Sequence, residues 1–344
     1  KNIISYKDID ITDIVYESVK QYILTNGPEN FRYRIAAERF VADYSDDIVA
    51  IKYCAAKFLT QGTILSNIFK DKYLKFDYEV GLVGPNSYVK YNSDKYFDFF
   101  QKNFIKFAPN ELGRKYFIEY ENIEEDNAVI FGGGRSNSHF DFATNISRPD
   151  SKKELGINKE YDIHILFDFS GLLPGYISNE EIVITLDTVA NYVKNHPNIA
   201  LIIKPHPSAD LSPLKLIDSI KTENIYILNK NILPNHALNV SDIIISKFSY
   251  MGIEAMIYDA QVLSVLLDKE RMFKIFGEAA KYVYSKEELK NFLEKTLHSK
   301  DSFIKWKNQY KEKRIEFVKE YYSMLEKKSE EIIVDTITKK INAK

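Results

Sequence analysis

Between Asp162 and Val265 five short apolar runs recur, separated by helical patterns, and this rhythm constrains the fold more than any other feature of the 344-residue chain. The runs are Asp162–Phe167, Ile199–Ile203, Ile225–Leu228, Asp242–Ile245 and Val262–Val265. Each has strand length and is rich in Ile, Val and Leu. Asn179–Asn195, Leu214–Ile220, Pro234–Val240 and Tyr250–Tyr258 read as the intervening helices. Strands that are apolar throughout, rather than alternating, are buried on both faces. Alternation with helices therefore implies a parallel sheet covered on both sides. Ligands of such sheets bind at the carboxyl ends of the strands.

The remainder is less regular. Ile11–Leu24, Phe31–Tyr44, Ile48–Phe58 and Tyr96–Phe107 read as helices, and Glu79–Val83 and Ala128–Phe131 as short strands. The tail, Ser285–Asn342, reads as mostly helical. Its charged, amphipathic stretch Phe303–Ile341 is expected to pack by one face and leave a Lys/Glu face in solvent. Lys and Arg total 47 against 49 Asp and Glu, a net charge of -2, which argues against a general nucleic-acid binder. The single cysteine, Cys54, excludes an intrachain disulfide framework and suits a reducing compartment. No apolar run reaches the roughly 18 residues of a membrane span, and no signal peptide is visible. The chain starts at Lys1 rather than Met, so a trimmed N-terminus is expected.

Two segments carry the chemistry. The run Ile199–Ile203 ends in Lys204-Pro205-His206-Pro207, where two prolines fix the turn. His206 can donate to a phosphate oxygen and Lys204 adds positive charge. The plainer reading is a rigid strand exit with a surface His. The second segment follows Asp242–Ile245 and runs Ser246-Lys247-Phe248-Ser249-Tyr250-Met251-Gly252-Ile253-Glu254-Ala255. Ser249 is placed to cap the next helix, whose N-terminus suits a phosphate. Glu254, about one turn on, can accept from ribose hydroxyls. An ordinary cap and a surface Glu are the alternative. Asp168, in Leu166-Phe167-Asp168-Phe169-Ser170-Gly171, is the first candidate for a catalytic carboxylate, as base or nucleophile. A loop-capping role is the alternative. Gly132-Gly133-Gly134 can let the backbone approach a donor or serve as a linker, and Arg135 can contact a carboxylate or phosphate. Asp8-Ile9-Asp10 has an Asp-x-Asp form but lies outside the expected context. The six histidines show no metal-ligand spacing. His164 is read as packed within a strand, and His139 and His236 as lying near loops.

The Lys-Pro-His-Pro turn, followed about 40 residues later by a serine loop and Glu254-Ala255, resembles the C-terminal lobe of GT-B glycosyltransferases that build bacterial capsules and surface polysaccharides. The sialyl- and Kdo-type transferases and the CDP-glycerol transferases are the similar groups. Their loop is Ser-Ser-x-x-x-Glu-Ala; here Ser249 matches the first serine and Tyr250 replaces the second. Gln61-Gly62-Thr63, Gly81-Leu82-Val83-Gly84-Pro85-Asn86 and Val129-Ile130-Phe131-Gly132-Gly133-Gly134-Arg135 resemble further segments of the same family.

The resemblance implies an α/β GT-B fold: two Rossmann-like lobes with a cleft between them, a divergent or incomplete N-lobe, and C-terminal helices. It divides the chain into an acceptor-side lobe, 1–145, a nucleotide-sugar-binding lobe, 146–300, and C-terminal helices, 301–344. It implies a metal-independent glycosyltransferase with no cofactor beyond a nucleotide-sugar donor, CMP-linked Kdo or sialic acid being favoured. The partners would be that donor and a glycan or lipid-linked glycan acceptor, with no nucleic acid. The setting would be the cytoplasm or, through other domains or partners, the cytoplasmic face of the inner membrane. Lys204, His206, Pro207, Ser246, Lys247, Ser249 and Tyr250 would hold the phosphates, and Glu254 the ribose. Asp168 and His206 would serve catalysis, with Gly133, Gly134, Arg135, Ser170 and Gly171 contacting the donor. A CDP-glycerol-type phosphotransferase, a sugar-nucleotide epimerase and a non-catalytic nucleotide-binding lobe are the rival readings.

Overall fold

The computed structural model describes residues 104–121, 123–132, 134–169, 179–207, 209–220, 222–247, 249–267, 274–322 and 328–343, and, before these, four short strands. Chain contacts divide it into two compact units: Lys1–Val80 with Lys90–Phe131 and Leu325–Lys344, and Gly81–Val89 with Gly132–Met324.

In the first unit, β1 (Ser5–Tyr6) and β2 (Ile9–Asp10) form an antiparallel pair. Strands β3 (Ala50–Lys52), β4 (Leu74–Tyr78), β5 (Phe104–Ala108) and β6 (Ala128–Ile130) form a parallel sheet in that order. Helix α1 (Glu111–Glu121) connects β5 towards β6. The strand at Ala128 stands as expected. Ala50–Lys52 and Phe104–Ala108, by contrast, correct two helical expectations. Short apolar runs have no decisive periodicity, and here parallel pairing, Lys106 opposite Ala128 and Ile51 opposite Lys75, satisfies their backbones. The expected elements at Ile11–Leu24, Phe31–Tyr44 and Glu79–Val83 lie outside the described residues, as do Cys54, Gln61–Thr63 and Gly81–Asn86.

The second unit opens with α2 (Gly134–Asn145) and α3 (Arg148–Glu154), then alternates strand and helix. Its elements are β7 (Ile163–Phe169), α4 (Asn179–Lys194), β8 (Ile199–Pro205), α5 (Lys215–Ile220), β9 (Ile225–Ile227), α6 (Asn235–Val240), β10 (Ile243–Ser246), α7 (Tyr250–Ile257), β11 (Gln261–Val265) and β12 (Ala280–Val283). All six strands are parallel, in the order β12-β11-β10-β7-β8-β9. Numbered from β7, the order is 3-2-1-4-5-6 read from the β9 edge, the doubly wound Rossmann arrangement, and it reverses between β7 and β10. One face packs Ile165, Phe167, Leu201 and Ile203 against α4. The other packs Leu166, Ile202 and Ile244 against Ile253 of α7 and Tyr321. Burial on both faces explains the unbroken apolar runs.

The tail holds α8 (Lys286–Thr296), α9 (Lys300–Asn308), α10 (Lys311–Tyr322) and α11 (Ser329–Asn342). A buried Arg314 anchors α10. Its guanidinium hydrogen-bonds Gln261 Oε1, Asp259 Oδ1 at 2.6 Å and the Lys307 carbonyl at 3.0 Å. In the first unit α11 lays Ile333, Ile337 and Ile341 on a cluster around Phe107 and Phe131.

Candidate nucleotide site at the switch point

A parallel sheet leaves its carboxyl edge open where the strand order reverses, and the residues singled out at the ends of β7, β8 and β10 meet there. Register places Asp168 opposite Lys204, and Ile245 opposite Phe167, which sets Ser246 beside Asp168. Ser246 in turn pairs with Ser264 on β11. Lys204, Asp168, Ser246 and Ser264 thus form a polar row across four strands, on the face that carries α7. All four are buried.

Ser246 Oγ donates to Asp168 Oδ2 at 2.8 Å and accepts from the Ser249 N–H at 3.3 Å. Ser249 has extended backbone and caps α7, its Oγ accepting from the Met251 N–H at 3.2 Å. Asp168 therefore organises the serine loop and the helix N-terminus behind it. Burial pushes its carboxyl up to about 6, against the hydrogen bonds from Ser246 and Ser249 and the charge of Lys204 that favour ionisation. Asp168, the first candidate for base or nucleophile, is thus buried and engaged by the serine loop beneath α7.

Lys204 is also turned inward. Its ammonium donates to the Pro205 carbonyl at 2.7 Å and the Lys230 carbonyl at 3.1 Å, and burial lowers its pKa. It binds the turn to the loop after β9 and supplies positive charge from beneath. His206 and Pro207 are exposed at the end of β8, and the His206 N–H donates to the Phe169 carbonyl at 2.9 Å. Lys247 makes a two-pronged ion pair with Glu181, in the first turn of α4, at 2.8 and 2.7 Å. Asp168, Glu181, Ser246 and Lys247, with Thr185 and Phe167, border an open cleft at the sheet edge. Glu181 carries no motif and is not expected from the sequence; its signal is only an acidic residue in the first helical turn after the Asp168 strand.

Tyr250, at the second serine position, is half-buried and packs edge-on against Tyr321 with centroids 5.9 Å apart. Glu254 is buried on α7, with Oε1 3.3 Å from Nε2 of His139. His139 lies within α2, and His236 is the second residue of α6, in the helix expected there; His164 is packed in β7 as expected. Gly132 has φ 78°, a left-handed turn natural to glycine, just ahead of α2. Gly134 and Arg135 begin that helix. Gly133, Ser170, Gly171 and Asp8 lie outside the described residues, and Asp10 is in β2. Among the described residues no group of three His, Cys, Asp or Glu side chains is placed to hold a metal. Among them, too, no helix is long and apolar enough to cross a membrane.

This is an α/β chain of the GT-B fold. The solved structure of UDP-GlcNAc 2-epimerase from Neisseria meningitidis, bound to UDP-GlcNAc, matches it with a TM-score of 0.59 at 16% identity, over 98% of this chain and 84% of the other. A glycosyltransferase from Rickettsia africae matches with a TM-score of 0.54 at 14% identity, over 99% and 84%. The wall teichoic acid polymerase TagF matches with a TM-score of 0.55 at 15% identity, over 80% and 70%. No family model matches the chain, and no curated protein does.

Proposed function

We propose that the chain is a nucleotide-sugar enzyme, a glycosyltransferase first, which binds its donor's phosphates over the β7–β10 switch point. The observation that carries this reading is the Lys204–Asp168–Ser246 row leading into the Ser249-capped N-terminus of α7. A helix N-terminus favours an anion electrostatically, and the row beneath holds the loop in place. His206 stands exposed beside it. An imidazole can donate to a phosphate or take a proton from an acceptor hydroxyl, so His206 is the proposed acid–base group. Asp168 acts as a positioning residue. Glu254 is the proposed ribose ligand.

The donor is proposed to carry a pyrimidine nucleotide. The motif resemblance favours CMP-linked Kdo or sialic acid, whereas the N. meningitidis epimerase is bound to UDP-GlcNAc. The acceptor would be a glycan or lipid-linked glycan, and transfer would need no metal. Epimerisation is the second reading, supported by the match to that epimerase over 98% of the chain. A thermal-shift panel with CMP, CDP, UDP and GDP tests the reading. A ligand at 100 times its Kd stabilises the native state by about 2.7 kcal/mol. A response confined to cytidine or uridine nucleotides is expected; no response to any of the four contradicts it. Turnover of the sugar nucleotide with and without acceptor then separates transfer from epimerisation.

A further inference from the structure

Glu254 and Tyr258 lie four residues apart on or just past α7, and so on one face. A single imidazole from α2 bridges them. His139 Nε2 is 3.3 Å from Glu254 Oε1, and His139 Nδ1 is 3.0 Å from the Tyr258 hydroxyl. The two rings stand edge to face, with centroids 5.8 Å apart at 89°. His139 and Glu254 are only 4% and 3% exposed.

Tyr258 lies on the far side of the ring from Glu254. Burial raises its hydroxyl well above the ordinary phenol range, outweighing a hydrogen bond from Asn235, and the nearby Glu254 charge raises it further. The Tyr258 hydroxyl and Nδ1 share one hydrogen bond, and where Tyr258 is the donor the ring hydrogen lies on Nε2. Nε2, on the other side of the ring, is the atom nearest the Glu254 carboxyl, at ion-pair distance rather than in a hydrogen bond. Tyr258, His139 and Glu254 form a row of polar groups that ends on the proposed ribose ligand.

We propose that His139 is the positioning residue for Glu254, holding its carboxylate so that an oxygen is presented to the ribose hydroxyls of the bound nucleotide. Helix α2 thereby contributes to nucleotide selectivity through His139. The inference rests on the reading of Glu254 given under Proposed function, and the two fail separately.

The test is calorimetric binding of UDP and 2′,3′-dideoxy-UDP, or the cytidine pair if the nucleotide panel selects it. The ratio of the two Kd values reports the ribose contact alone. A charged hydrogen bond to the diol gives an expected ratio of about tenfold or more in the wild type. Glu254→Gln should bring it near unity; a wild-type ratio of unity overturns the ribose assignment and the inference with it. His139→Gln places an amide donor near the position of Nε2 and should keep the ratio within about threefold of wild type. His139→Asn reaches only the position of Nδ1 and should abolish most of it. If both variants keep the wild-type ratio while Glu254→Gln loses it, the inference is overturned and the ribose assignment stands. Equal losses in both, with equally lowered melting temperatures, mean a merely structural His139 and also overturn it. If His139→Asn fails to fold, Tyr258→Phe serves, since it frees the ring to place its hydrogen on Nδ1. It should lower the ratio, and an unchanged ratio contradicts the inference.

Discussion

Ser246 Oγ donates to Asp168 Oδ2 at 2.8 Å, joining the ends of β10 and β7 where the strand order reverses. The bond places a buried carboxylate under the loop that leads into α7. Such a group costs stability when ionised, and organises neighbouring donors in return.

Asp168→Asn tests this balance. Burial raises the folded-state pKa to about 6, above the usual unfolded value near 4. A raised carboxyl pKa gives stability that is full below about pH 4 and is lost as pH rises to about 6. Asparagine does not titrate. Between pH 4 and 7 the stability difference should therefore move in the variant's favour by up to about 3 kcal/mol. Denaturant melts across that range check it; a constant difference contradicts it. The variant should also bind nucleotide more weakly, because an amide offers the serine loop one acceptor oxygen where the carboxylate offers two.

Asp242 behaves in the opposite sense. Burial alone would raise its pKa, but hydrogen bonds from His164 and Arg148 outweigh it and hold the carboxyl at about 2. Arg148 grips both oxygens, at 2.9 and 2.8 Å. A depressed pKa gives stability that is present above about pH 4 and lost as pH falls towards 2. Arg148→Ala should shift acid unfolding to higher pH and cost about 1–2 kcal/mol at neutral pH, since the arginine is partly exposed. Acid titration followed by circular dichroism measures the shift; an unmoved acid midpoint counts against it.

Gly252 is constrained by its neighbour. A Cβ there would stand 2.6 Å from Phe276 Cζ and 2.7 Å from Cε1. Alanine normally improves a helix interior by about 1 kcal/mol, yet here overpacking of about 1–3 kcal/mol should prevail. Gly252→Ala is expected to destabilise, and Phe276→Leu to recover part of the loss in a double-mutant cycle. Additive losses would show that the ring is not the obstacle.

Arg314 anchors the tail. Arg314→Ala leaves Gln261 Oε1 buried without its guanidinium partner and removes one of the cations on Asp259. It should cost about 2–4 kcal/mol. Glu312, two residues earlier on the same helix, is exposed. Glu312→Gln should change stability by under about 0.5 kcal/mol. Urea melts of both variants provide the contrast; equal effects would contradict the anchoring role.

The second unit is legible in the sequence because its strands are buried on both faces, so apolar runs at Ile163, Ile199 and Ile243 need no knowledge of partners. Strand β12 gives no such signal, because Ala280-Lys281-Tyr282-Val283 is short and only partly buried. Ala50–Lys52 and Phe104–Ala108 mislead because short apolar runs carry no decisive period. In the tail, the surface charge pattern does not reveal the buried Arg314. At the site, the prolines of the Lys204–Pro207 turn and the Ser249 cap are local signals. The inward turn of Asp168 depends on strand register, and the His139–Glu254 approach joins two helices far apart in the sequence. Neither is a local property.

The most direct test of the switch-point site is calorimetric titration of UDP and CDP into the wild type, Ser246→Ala and His206→Ala. Binding to the wild type is expected, with affinity reduced about tenfold or more in each variant and folding retained. Unaltered affinity in both variants, or no binding to the wild type, would contradict a nucleotide site over Asp168 and Ser246.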